Sequence, residues 1–185
     1  ILFCIPIITI GASITAVYGC IFRIQEKREG YLTKDFWKLF KECFRSSTII
    51  YLVGVAVVAM LYLDYQIFAT DSRLDILQVL VVAGGILVAE IFTYAFPMES
   101  YFENSLKATV KNALLLGISN IPYTLLMLGI NVFPFFLVAR IPVTFGIWFL
   151  IGISGVAWIN SFFLKKIFSK VRIRKDCLLY TSPSP

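Results

Sequence analysis

The chain has 185 residues, of which 59% are apolar and 15% are charged, whereas soluble domains average about 45–50% apolar and about 25% charged residues. This composition indicates a membrane protein. The net charge is +6, and the chain contains no histidine and no Cys-x-x-Cys pair, which excludes Ser-His-Asp and Cys-His nucleophiles, histidine-ligated metals and the common zinc motifs.

Five long segments that carry at most one charge each predict an all-α polytopic membrane protein. They lie near 1–22, 46–64, 76–96, 112–130 and 141–164. A helix needs about 20 apolar residues to cross a hydrocarbon core of about 30 Å, so each segment is long enough for one span. Asn131 and Pro134 divide the last long uncharged stretch, and we predict a hairpin there between spans four and five.

Both ends of the chain look unusual for a natural protein. Ile1 begins inside an apolar run without a methionine, so we expect a natural N-terminal segment to be missing. The last nine residues, CLLYTSPSP at 177–185, resemble translated sequencing-adapter read-through and are excluded as a non-native tail. The prediction is therefore a single membrane domain over 1–176.

A basic amphipathic segment precedes span two. In 31–45 the apolar residues recur at helical spacing, with polar residues on the opposite face. Thr33 is the predicted N-cap, and Asp35 in the first turn suits the helix dipole. We predict an interfacial helix that anchors a cytoplasmic loop or docks a partner. The residues assigned to this role are Lys34, Phe36, Trp37, Lys38, Phe40, Lys41, Phe44 and Arg45.

The basic residues give the chain an orientation. Segments 23–45, 97–111 and 165–175 contain seven, two and six Lys or Arg residues, against one each in 64–75 and 131–140. Along an alternating five-span path the first three segments share one side. The positive-inside rule places that side in the cytoplasm. We therefore predict a bacterial plasma-membrane protein with 23–45, 97–111 and the C-terminus cytoplasmic, and the charge needs no nucleic-acid partner.

Glu90 is the one ionisable residue well inside a predicted span. Intramembrane acids usually face a bundle interior or a water-filled cavity. Ser119, Asn120 and Asn160 lie toward the same predicted side of the membrane, so we predict a polar cluster of these four residues. Such a cluster either forms hydrogen bonds that hold the helices together or serves as a transport or proton-relay site.

Three stretches resemble the YesL-like family of bacterial membrane proteins of unknown function. They are IPIITIGASITAVY, EGYLTKDFWKLFKECFRSSTII and FPMESYFENSLKATVKNALLLGISNIPYTLL. Members occur mainly in Firmicutes and are often encoded beside carbohydrate ABC transporters and polysaccharide-degrading enzymes. The resemblance therefore implies a link to sugar uptake, and it supplies no catalytic or ligand residues.

Two functions follow as expectations. The first is a non-enzymatic accessory or component of a carbohydrate ABC uptake system, without metal or cofactor, that contacts the lipid bilayer and ABC permease subunits. The second is a small-solute transporter or channel that uses the Glu90 cluster. An intramembrane enzyme ranks below both because the chain offers no nucleophile–base pair.

Overall fold

The structure is a computed structural model that describes residues 4–27, 31–69, 75–102, 105–141 and 152–180. All regular structure within these ranges is helical. The six long helices are α1 (Cys4–Gln25), α2 (Leu32–Phe68), α3 (Asp75–Tyr101), α4 (Leu106–Ser119), α5 (Ile121–Arg140) and α6 (Ile153–Tyr180). Contacts divide the chain into two compact units, Ile1–Ser119 and Asn120–Pro185.

In the first unit, α1 packs closely along α2 through a row of small residues. A Cβ atom on Gly11 would lie 2.7 Å from the backbone carbonyl oxygen of Ser47, so this glycine permits the close approach of the two helices. One turn later the buried hydroxyl oxygens of Thr15 and Ser47 lie 2.8 Å apart in a hydrogen bond. Close backbone approach at small residues is how membrane helices associate.

The same interface continues to the α1–α2 connection. Leu39 packs into a buried cluster with Ala16 and Cys20. Arg23, near the end of α1, forms an ion pair with Asp35 at 2.5 Å. The start of α2 is therefore fixed against the end of α1 by apolar packing and by a half-buried charge pair.

Helix α3 completes the first unit by packing against α1, α2 and α4. Tyr94, Ala95, Phe96 and Met98 are all buried near its C-terminal end. Phe92 stacks on Tyr51 of α2 with ring centroids 6.4 Å apart. The apolar core of this unit therefore lies near the C-terminal ends of α1 and α3, where both helices pack on the first half of α2.

The second unit contains α5 and α6. Met127 of α5 and Leu164 and Phe168 of α6 are buried. Tyr123 and Phe163 bring their ring centroids to 6.0 Å. The Asn160 side-chain nitrogen donates a hydrogen bond to the Asn131 side-chain oxygen at 2.8 Å, and the Lys166 ammonium nitrogen lies 5.6 Å from the centre of the Tyr123 ring.

Three sequence predictions about helix ends are wrong. Residues 112–130 do not form one helix, because α4 ends at Ser119 and α5 starts at Ile121, with Asn120 in a non-helical conformation (φ −129°, ψ 43°). Pro122 explains this break, since its ring conflicts with the carbonyl group four residues earlier. The hairpin expected at Asn131 and Pro134 is also absent, because α5 continues through both to Arg140.

The third concerns α2, whose N-cap is Tyr31 rather than Thr33, without a side-chain capping hydrogen bond. Asp35 lies in the first turn as predicted. Its carboxylate accepts a hydrogen bond from Arg23. The helix start is therefore held to α1 by a tertiary ion pair, and no side chain caps its backbone.

Within the described ranges, three helices are long and apolar enough to cross a membrane: Leu32–Phe68, Ile76–Tyr101 and Ile121–Arg140. The chain is thus an all-helical protein with several membrane-spanning-capable helices. Five crossings stay a prediction, and most of the first half of predicted span five, 142–151, lies outside the described residues.

Candidate functional site

Glu90 lies in a slot between α3 and α4. Its side chain is buried, with 7% exposed, on a helix whose first three turns present largely exposed apolar residues. A Cβ atom on Gly117 of α4 would overlap the Glu90 carboxylate. The glycine therefore creates the space that the carboxylate occupies.

The Glu90 carboxylate is incompletely paired. Among the described residues, no group hydrogen-bonds its Oε1 atom, which is shielded from solvent. An unpaired polar atom in an apolar interior costs free energy. The slot therefore holds a carboxylate oxygen that has no hydrogen-bond partner among the described residues.

A second carboxylate, that of Glu99, lies near the C-terminal end of α3 and has different surroundings. Glu99 accepts a hydrogen bond from the buried Thr109 hydroxyl at 2.9 Å. Its backbone carbonyl oxygen lies 3.7 Å from the Cys43 sulfur atom. Glu99 is half-buried and has contacts to both α2 and α4, whereas no described residue hydrogen-bonds the Glu90 Oε1 atom.

The other members of the predicted cluster have their own surroundings. Ser119 is exposed at the end of α4, two residues beyond Gly117, which places it on another side of the helix from the slot. The Asn120 carbonyl oxygen accepts bonds from the Thr124 amide and hydroxyl groups at 3.0 and 3.1 Å. Asn160 is fully buried and bonds Asn131. The four-residue cluster stays a prediction.

Sequence reasoning missed Gly117 and Asn131, which are the neighbours that the structure gives to Glu90 and Asn160. Gly117 carried a weak signal, because a small residue in an apolar segment admits a neighbouring side chain. Asn131 carried a misleading one, because asparagine before a proline favours turns.

The amphipathic segment of α2 divides its two faces differently from the prediction. Phe36 and Phe40 are half-buried against the cluster around Leu39, and Phe44 continues the row, with its ring centroid 5.4 Å from that of Phe40. The phenylalanine face therefore packs substantially on α1 within the fold. Contact of this segment with a membrane surface stays a prediction.

Beside the phenylalanine row, an exposed face of the segment forms a shallow, open depression of about 370 Å³, and its Trp37 ring contacts the Phe40 ring edge to face. We call it the α2 basic face, and its lining residues are Thr33, Lys34, Trp37, Lys38 and Lys41. Trp37 is 59% exposed, and the ion pair of Lys38 with Glu42, at 4.0 Å, is exposed. Such an exposed ion pair contributes little to the stability of the fold. Arg45 is exposed at the end of the segment.

The comparisons with known proteins give one family model and one relative. The family described as "Protein of unknown function, DUF624" matches residues 1–65, which include α1 and most of α2. An uncharacterized protein of Bacillus subtilis (strain 168), YteU, is 33% identical over 135 residues, which are 69% of this chain and 59% of the relative. The chain thus spans about three-fifths of that relative's length. No solved structure matches. The family match and the relative together support membership of the YesL-like DUF624 family, whose function is unknown.

Proposed function

We propose that this protein is a non-enzymatic accessory of a bacterial carbohydrate ABC uptake system. It would sit in the plasma membrane with 23–45, 97–111 and the C-terminus in the cytoplasm, and its α2 basic face would contact a permease subunit. The gene neighbourhoods of the YesL-like family support the carbohydrate link. The exposed face itself is the observation that supports a partner.

The α2 basic face has the features of a docking surface. Trp37 presents a large exposed ring, and tryptophan is enriched among residues that dominate binding energies. Lys34, Lys38 and Lys41 surround it, and only Lys38 has a carboxylate partner among the described residues. A basic rim around an aromatic anchor fits an acidic surface with an apolar pocket. We therefore expect the permease to present such a surface on its cytoplasmic side.

Cross-linking tests this proposal directly. With the photoreactive residue benzoylphenylalanine at position 37, irradiated cells should yield a covalent adduct with an ABC permease subunit. The charge reversal Lys34→Glu/Lys41→Glu should lower the yield roughly tenfold or more, because like charges then face each other. Adducts are measured by denaturing purification and mass spectrometry.

The matched control reverses Lys166 and Lys170, which are also exposed, and should leave the yield unchanged. A cysteine at position 41, in a chain whose native cysteines are replaced by alanine, checks the orientation. It should resist an impermeant maleimide in intact cells. Equal permease adducts from both reversed variants, or none from the parent, contradict the accessory function.

The slot around Glu90 favours a second candidate, a transporter or channel. A charged side chain at the centre of a membrane helix costs roughly 2.5–3.5 kcal/mol on insertion scales, and such residues commonly mark ion or proton paths. The buried carboxylate oxygen without a partner is the observation that supports this alternative.

Reconstitution in liposomes separates this candidate from the first. Under an imposed membrane potential, protein-containing liposomes should acidify faster than empty ones, and Glu90→Gln should remove the difference, as measured with an internal pH dye. Glu99→Gln, in the same helix, should retain the flux because Glu99 is already paired with Thr109. Equal rates for Glu90→Gln and the parent protein would exclude the relay.

A further inference from the structure

A lipid-sized groove runs between α2, α3 and α4 within the first unit. Its volume is about 660 Å³. Val53 and Val57 line one wall, Phe92 a second and Leu114 a third. Every lining residue is apolar or glycine, apart from two lysines of α4. The groove is open on one side, so it is a place where a chain-like apolar molecule can lie against the protein.

The two lysines, Lys107 and Lys111, are four residues apart and therefore share one face of α4. Both are exposed, and no carboxylate of the described part of the chain forms an ion pair with either. The nearby Glu99 carboxylate bonds the Thr109 hydroxyl instead. The groove thus ends at two lysines that have no ion-pair partner among the described residues.

The position of these lysines near the start of α4 strengthens the preference of this site for an anion. They lie in the first two turns of α4, which has no acidic residue in its first turn. Cations are unfavourable there because the N-terminal end of a helix carries partial positive charge. An anion beside them would be stabilised electrostatically by both lysines and by the N-terminal end of the helix.

The length of the groove identifies the kind of molecule. Its α2 wall extends from Ile49 to Val57, a rise of about 12 Å. One leaflet of the hydrocarbon core is about 15 Å thick. An acyl chain along the groove therefore reaches across most of a leaflet while its headgroup lies at the lysine end.

We propose that this groove is a binding site for an anionic glycerophospholipid, with one acyl chain between α2, α3 and α4 and its phosphate between Lys107 and Lys111. The apolar walls alone accept any lipid. The two lysines add a preference for a net negative headgroup, because each basic residue near a membrane surface favours anionic lipid.

Native mass spectrometry of the full chain in detergent tests the site by counting bound lipids. Phosphatidylglycerol should bind in one high-affinity step and phosphatidylcholine more weakly. Lys107→Gln/Lys111→Gln should lower phosphatidylglycerol affinity roughly tenfold. Val53→Trp, which fills the groove without changing charge, should lower the affinity for both lipids.

The control variant Lys166→Gln/Lys170→Gln removes the same charge at the same spacing and should keep the parent affinity. Glycerol 3-phosphate at equal concentration should not displace the lipid. The proposal is overturned if both lipids bind the parent equally or the Lys107/Lys111 variant keeps its preference. It is also overturned if glycerol 3-phosphate competes, or if Val53→Trp instead splits a dimer seen in the same spectra.

Discussion

Gly11→Leu should destabilise the protein by roughly 2–3 kcal/mol, because over-packing a tight contact costs about 1–3 kcal/mol or more. Even a Cβ atom at this position would meet the Ser47 backbone carbonyl oxygen at 2.7 Å and the Tyr51 Cβ atom at 2.8 Å. These neighbours cannot rotate away as a flexible side chain does, so α1 and α2 must move apart. The Thr15–Ser47 hydrogen bond would be lost with them. Reversible unfolding in mixed detergent micelles measures the change.

Gly85→Leu is the matched control, since a Cβ atom on Gly85 meets no atom within 4 Å. It should be neutral or stabilise the helix by up to about 1 kcal/mol, because leucine has the higher helix propensity. If both leucine variants unfold alike, the α1–α2 contact at Gly11 is not close in the folded protein.

Gly117→Leu should also destabilise the first unit, and the effect should depend on Glu90. The new side chain would occupy the space of the Glu90 carboxylate. In a Glu90→Ala background that space is empty, so the destabilisation should shrink by about 1–3 kcal/mol, the usual coupling between contacting residues. The same unfolding assay, applied to all four members of the double-mutant cycle, measures the coupling free energy.

Gly85→Leu in the same two backgrounds is the control for this cycle, and its effect should be additive with Glu90→Ala. A Gly117→Leu effect of equal size with and without Glu90 would show that the carboxylate does not occupy the slot. The cycle measures stability alone, so its result is independent of any transport activity.

The general character of the fold was predictable, because it depends on composition and segment length. The described parts of the apolar runs form helices. The α4–α5 break also had a signal in Pro122, because a proline ring conflicts with the helical turn before it. Pro134 is the reverse case: it lies inside α5, since neighbouring groups in a membrane protein can re-satisfy the freed backbone carbonyl.

The pairing of polar residues was not predictable in the same way. When a helix is apolar on all sides, the spacing of its apolar residues does not show which face packs against a neighbouring helix. The rotation of each helix is then set by packing, which decides that Glu90 meets Gly117 and Asn160 meets Asn131. For the amphipathic segment the helical spacing was visible, whereas the Tyr31 N-cap and the packing of the phenylalanines on α1 were not.

Helix α2 runs for 37 residues without a proline, which corresponds to about 55 Å of continuous helix. The α2 basic face and the apolar stretch that is long enough to cross a membrane are therefore two ends of one rod. No linker separates them, so a force applied at Trp37 is converted into tilt or axial rotation at Val57 and beyond. A partner that moves the basic end of α2 would therefore also move the apolar end of the same helix.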